Sequence, residues 1–121
     1  MIGLGLDAVE IERFRGAIDR HPRIINRVFT DAERADMAKR DDPVPGFAAR
    51  FAVREAVMKA LGVGIGIVRM ADIEVARAES GAPTLSLSGS AQRIAASKGV
   101  SGWHVSITHT DSVAMAVVAA I

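Results

Sequence analysis

The opening residues place the tightest constraint on what this chain can fold into. Ile2-Gly3-Leu4-Gly5-Leu6-Asp7-Ala8-Val9 alternates with period two, putting Ile2, Leu4, Leu6 and Ala8 on one face of a strand. Gly3, Gly5, Asp7 and Val9 fall on the other face. Two glycines on one face leave it bare, and a bare strand face is where another backbone or a ligand approaches closely.

Downstream, the pattern turns helical from Glu10 to about Asp19, with Ile11, Phe14 and Ile18 at near-helical spacing. Thr30-Asp31-Ala32-Glu33 is a capping-box sequence that predicts a helix to about Lys39, followed by a loop around 41–46. The longest helix is expected from Phe47 to Leu61. Ala49, Val53, Ala56, Val57, Ala60 and Leu61 gather there into one apolar stripe, and Gly62 ends it. Asp72–Arg77 and Thr84–Ser88 read as strands joined through Ser80-Gly81-Ala82-Pro83. A short helix over Ser90–Lys98 stops at Gly99, and two further strands, Trp103–Thr108 and Val113–Ile121, close the chain. The predicted order is β-α-α-α-β-β-α-β-β, an α+β fold with a small antiparallel-rich sheet packed against helices.

Composition narrows the class. The chain has 121 residues, 50% of them hydrophobic, which suits a single domain over 1–121 and excludes intrinsic disorder. Fifteen Lys+Arg against fourteen Asp+Glu leave a net charge of +1, so no global field draws it to nucleic acid or a membrane surface. Without cysteine there is no disulfide scaffold, thiolate metal site or cysteine nucleophile. The longest apolar run, Val113–Ile121, is about half of what a membrane helix needs. Asp7 and Glu10 interrupt any reading of the first residues as a signal peptide, and a cytoplasmic location is expected. The apolar half of the chain holds only one Trp and four Phe. Its Ala, Val and Ile each bury little area, and a small domain exposes much of its surface, so a homo-oligomer is expected.

The groups that could carry chemistry are few. Glu55 and Lys59 are four apart on the long helix and therefore neighbours. That spacing fits a solvated ion pair, and equally a carboxylate for a hard cation beside an ammonium for a phosphate. Asp7, at the end of the glycine-bearing strand face, fits a cap for the following helix or one of the carboxylates by which Mg²⁺ is held. The three histidines do not form a metal cluster: His21 precedes Pro22 in a loop, and His104 and His109 lie five apart in or near one strand. Gly62-Val63-Gly64-Ile65-Gly66 follows a helix instead of opening one, and reads as a C-cap running into a turn. Between Ile11 and Thr30, five arginines (Arg13, Arg15, Arg20, Arg23, Arg27) face only Glu12 and Asp19, a local surplus suited to an acidic protein partner.

Together these segments resemble the bacterial holo-[acyl-carrier-protein] synthases, the short phosphopantetheinyl transferases. Residues 2–11 are similar to the family's opening. Arg50-Phe51-Ala52-Val53-Arg54-Glu55-Ala56-Val57-Met58-Lys59-Ala60 matches its R-F-A-x-K-E-A-x-x-K-A signature. Gly62–Gly66, Asp72-Ile73-Glu74, Gly81-Ala82-Pro83 and residues 104–110 follow in the family's order, so the resemblance spans the chain. It implies transfer of 4′-phosphopantetheine from coenzyme A to a serine of an acyl carrier protein, with release of 3′,5′-ADP. It further implies Asp7 and Glu55 as Mg²⁺ ligands and Lys59 as a phosphate contact. Arg50, Gly81, Pro83, His109 and Thr110 would contact coenzyme A, Arg13 would dock the carrier, and the active form would be a homotrimer with sites between subunits. Glu55, a metal-bound water or Asp36 would take the serine proton. One departure stands out: Arg54 occupies the position of the family's lysine. Two other readings fit the same residues, a Mg²⁺-dependent nucleotide or coenzyme A pyrophosphohydrolase and a non-catalytic carrier-binding trimer.

Overall fold

The computed structural model describes residues 1–121. Strand β1 (Gly3–Glu10) is followed by four helices, α1 (Ile11–Arg20), α2 (Arg23–Val28), α3 (Asp31–Met37) and α4 (Val44–Leu61). A 3-10 turn over Met70–Asp72 leads to β2 (Ile73–Arg77) and β3 (Pro83–Leu87), then α5 (Gly89–Ser97), β4 (Trp103–His109) and β5 (Val113–Ala120). The strands form an antiparallel sheet in the order β1-β5-β4 and a separate antiparallel hairpin of β2 and β3.

The bare face of β1 is covered by a helix. A Cβ on Gly3 would lie 1.8 Å from the Ala60 carbonyl oxygen, and one on Gly5 would lie 1.8 Å from that of Ala56. The α4 backbone therefore seats directly on the strand, with small residues on both sides of the contact. From there α4 runs across the sheet. Its Ala52, Val53, Ala56 and Val57 pack against Ala116, Val118 and Ala120 of β5 and against Ile73 and Val75 of β2. A second cluster gathers Phe14, Phe29, Met37 and Phe47, with the Phe29 and Phe47 rings 4.6 Å apart.

Three sequence expectations need correction. The predicted order omitted α2, a six-residue helix whose N-cap, Pro22, makes no side-chain hydrogen bond. Six residues are too short to display a helical period. The long helix begins at Val44, three residues before the expected Phe47. Pro45 is tolerated in its first turn because the backbone N–H there has no helical partner, and Asp42 Oδ1 accepts from the Val44 N–H at 3.2 Å. The helix is also not simply striped. From Gly46 to Leu61 every residue is buried except Phe51, Glu55 and Lys59, which form one accessible flank at i, i+4 spacing. Other features follow expectation: Thr30 and Glu33 make both capping-box hydrogen bonds, and Gly62 takes the left-handed φ of 70° that ends α4.

Among the buried residues, Arg54 and Glu33 form an ion pair of 0% and 1% exposed side chains. Arg54 Nη1 donates to Glu33 Oε2 at 3.0 Å, and Nη2 donates to Oε1 and to the Ile73 carbonyl. Arg54 Nε donates to the Met70 carbonyl at 2.9 Å. Glu33 in turn accepts from the N–H groups of Thr30 and Val75. The Arg54 guanidinium lies 4.8 Å from the Phe29 ring centroid. One pair thus ties α3, α4, the 3-10 turn and β2 together. The outer sheet face is the opposite case: Leu4 and Leu6 are 60% and 61% exposed, with Met115 and Val117 beside them also open.

The packing predicts the outcome of three substitutions. Gly5→Ala will destabilise the protein by about 3 kcal/mol or more in urea titration, because backbone must move to admit the Cβ. Gly64→Ala, with open space at its Cβ, will stay within about 0.5 kcal/mol of the parent. Glu33→Ala strands a buried guanidinium and will cost about 3–5 kcal/mol in the same titration.

Candidate active site

The close seating of β1 on α4 delivers Asp7 to the accessible flank of the helix. Lys59 Nζ donates to Asp7 Oδ1 at 3.2 Å and to the Leu6 carbonyl at 2.9 Å. The spacing of Glu55 and Lys59 suits an ion pair, yet the ammonium turns to the strand, and the Glu55 carboxylate makes no side-chain hydrogen bond. Partial burial raises the Glu55 pKa above its ordinary value, the Asp7 carboxylate raises it further, and Lys59 offsets part of both. Two hard carboxylates that feel each other, with an ammonium at hand, suit a divalent cation taking few protein ligands and keeping positions for water and phosphate oxygens. No set of three or more His, Asp or Glu gathers as a metal site anywhere in the chain, so a cation here would take its protein ligands from this pair alone.

One helical turn before Glu55 the same flank changes character. Phe51 lines an apolar hollow of about 350 Å³ with Ala8, Val9, Phe14, Ala17 and Ile24, and Arg13 stands at its rim. Arg13 makes no ion pair, whereas Arg15 is held by Glu12 and Asp42. Arg20, Arg23 and Arg27 gather around a second hollow with His21. The arginine surplus read from the sequence is therefore divided, one member being neutralised within the chain.

A basic site lies on the other side of α4. Arg50, Arg77, Gly81, Pro83 and His109 line a cavity of about 220 Å³ with Val75 and Ile107. An adjoining hollow shares Arg50 and Arg77 and adds Asp36, Lys39 and Arg40. Arg50 is 2% exposed, and its Nε has no partner. Its only side-chain hydrogen bond runs from Nη1 to the Gly46 carbonyl at 3.3 Å. Burial lowers its proton affinity, the neighbouring Arg40 and Arg77 act in the same direction, and the charges of Glu33 and Asp36 offset part of the effect. A buried guanidinium without a carboxylate partner, facing other cations, is a site prepared for an anion.

The structure thus brings Arg50, Gly81, Pro83 and His109 together, and separately brings Asp7, Glu55 and Lys59 together. Thr110 sits beyond the cavity, in the turn after β4, where its hydroxyl accepts from the N–H groups of Ser112 and Val113. Asp36 belongs to the basic hollow and not to the carboxylate pair. Arg77 escaped sequence reading. The hairpin register pairs it with Pro83, so aligning the two strands would have placed it beside Gly81 and Pro83.

Residues 3–118 match the family model of the 4′-phosphopantetheinyl transferase superfamily. The chain is 44% identical to the holo-[acyl-carrier-protein] synthase of Moorella thermoacetica, over 97% of this chain and 91% of that one. It is also 44% identical to the synthase of Streptomyces griseus, over 99% and 98%. Among solved structures it superposes on the synthase of Neisseria meningitidis with a TM-score of 0.91 at 27% identity, covering 100% and 99% of the two chains. The Helicobacter pylori synthase in complex with coenzyme A gives 0.83 at 28% identity, covering 98% and 99%. By sequence and by fold, this chain belongs to the 4′-phosphopantetheinyl transferase superfamily and, within it, to the holo-[acyl-carrier-protein] synthases.

Proposed function

We propose that this enzyme, a single domain over 1–121, transfers 4′-phosphopantetheine from coenzyme A to a serine hydroxyl of an apo acyl carrier protein. The reaction releases 3′,5′-ADP, depends on Mg²⁺ and serves fatty acid synthesis in the cytoplasm. The observation that carries the reading is the convergence of Asp7, Glu55 and Lys59 where β1 meets the accessible flank of α4. In the reaction the serine oxygen forms a bond to the phosphorus that bears pantetheine. The bond from that phosphorus to the oxygen bridging the pyrophosphate breaks, 3′,5′-ADP departs, and the serine proton passes to Glu55 or to water on the same flank. A bound Mg²⁺ supplies charge neutralisation on the pyrophosphate oxygens. Asp7 and Glu55 would hold it, and Lys59 would present a second positive charge to the phosphates. Docking of the carrier in the apolar hollow at Phe51, steered by Arg13, brings its serine to the flank that carries Glu55.

Coenzyme A engages the basic cavity through Arg50, Gly81, Pro83 and His109, with Thr110 at its margin. Arg50 precedes Lys59 by nine positions, about two and a half turns, which leaves the two about 180° apart around the helix axis. The two half-sites therefore lie on opposite flanks of α4, and Asp7 and His109 belong to the two edge strands of the sheet. A substrate that uses both is best met by half-sites from two neighbouring chains. The exposed apolar face of Leu4, Leu6, Met115 and Val117 offers the surface for that association, and we assign the active form as a homotrimer.

Incubating an apo acyl carrier protein with this enzyme, coenzyme A and Mg²⁺ will add one phosphopantetheine to the carrier's intact mass, and EDTA will abolish the gain. Consumption of coenzyme A with no gain on any carrier would instead mark a pyrophosphohydrolase. Asp7→Ala and Glu55→Gln will each leave less than about 1% of the transfer rate with the fold intact by circular dichroism. Mixing Asp7→Ala chains with Arg50→Ala chains under subunit exchange will restore activity that neither has alone. Failure to restore it in verified mixed oligomers would place both half-sites in one chain.

A further inference from the structure

Lys59 has two partners to serve, and the structure seats it on the first. Its ammonium contacts Asp7 Oδ1 at 3.2 Å and the Leu6 carbonyl at 2.9 Å, and it stands one helical turn from Glu55. We propose that Lys59 is the resident counter-ion of the carboxylate pair, that an arriving divalent cation displaces it from Asp7, and that the displaced ammonium then turns to the substrate phosphate. The inference rests on the metal-ligand reading of Asp7 and Glu55 given above, and extends it to the order of events.

The charges require such an exchange. Asp7 and Glu55 bear on one another across the β1–α4 contact, and without a cation the only positive group at the pair is Lys59. The Asp7 side chain is 17% exposed, so water screens this charge only in part, while the Lys59 side chain is 56% exposed and its stem is free to swing outward. A divalent ion that takes an Asp7 oxygen replaces one unit of positive charge by two. The ammonium, now repelled by the ion, loses its bond to Asp7 and becomes available to an anion on the same flank. No proton moves in this exchange. Lys59 thereby keeps the carboxylates paired before the cation arrives, and it is delivered to the phosphate only once the cation is in place.

The exchange makes a prediction opposite to that of a simple helper lysine. If Lys59 competes for Asp7, removing it strengthens metal binding when no phosphate is present. Calorimetric titration of the intact protein with Mn²⁺ alone, without coenzyme A, will show Lys59→Met binding about tenfold more tightly than the parent, as loss of a neighbouring positive charge demands. Lys59→Gln will shift the same way. In thermal unfolding without metal, Lys59→Met will melt below the parent, and saturating Mn²⁺ will raise its melting temperature by more than it raises the parent's. Equal or weaker Mn²⁺ binding by both Lys59 variants would overturn the exchange while leaving the metal site standing. Undiminished Mn²⁺ binding by Asp7→Asn, or no uptake by the parent and either Lys59 variant, would overturn the metal reading and the exchange with it.

Discussion

Everything at the catalytic flank depends on how closely a strand and a helix can approach. Gly3 and Gly5 present no Cβ to α4, and Ala56 and Ala60 present only small side chains to β1. The helix backbone therefore sits against the strand, at a distance that larger residues forbid. Asp7, two residues beyond Gly5 on the same strand face, is carried to the flank of α4 where Glu55 and Lys59 lie. The acidic pair and its ammonium owe their proximity to an absence of side chains elsewhere. This is why the glycines set the geometry of the candidate site although they contribute no side chain to it.

A second constraint works from the other side of the helix. Arg54 is a fully buried cation of α4, and the structure explains how an arginine is used there. Its planar guanidinium reaches both Glu33 oxygens and two or more backbone carbonyls at once, while stacking near Phe29. A lysine ammonium has only three donors at one point and cannot span that set. The pair costs desolvation, and it is held because every group in it is satisfied. It also has a consequence for its neighbour. Glu33 is committed to Arg54 and to the Thr30 and Val75 N–H groups, so the buried Arg50 is left without a hydrogen-bonded carboxylate. The anion site is the remainder of that arrangement.

Local signals were legible wherever one residue's geometry decides the outcome. Thr30 and Glu33 cap α3 because their side chains reach the first N–H groups, and Gly62 ends α4 because its φ of 70° disfavours a Cβ. The hairpin at Gly81 follows from the same rule, with φ 88°. Where length or neighbours decide, sequence reading fell short. Helix α2 has too few residues to show a period, and the start of α4 was hidden by prolines that suit a first turn. An amphipathic stripe was read along α4, but the sheet, the hairpin and the other helices enclose it on nearly all sides, which no period within the helix can reveal. Arg77 went unnoticed because its value lies in the strand register that sets it opposite Pro83.

By itself the sequence determined the family, every strand and α-helix except α2, and the residues Asp7, Glu55, Lys59 and Arg50 as charge carriers, because spacing, capping and turn chemistry are local and the signature runs the length of the chain. It also determined that Gly3 and Gly5 must meet something at close range. Tertiary structure alone decided what meets them, that Lys59 turns to Asp7 and leaves Glu55 unpaired, and that Arg50 faces an anion cavity on the opposite flank from the carboxylates. The physical reason is that pairing among charges depends on distance through space. Residues 7 and 59 become neighbours only when a strand and a helix have packed, and residues 50 and 59 point to opposite sides of the same helix, about 180° apart around its axis.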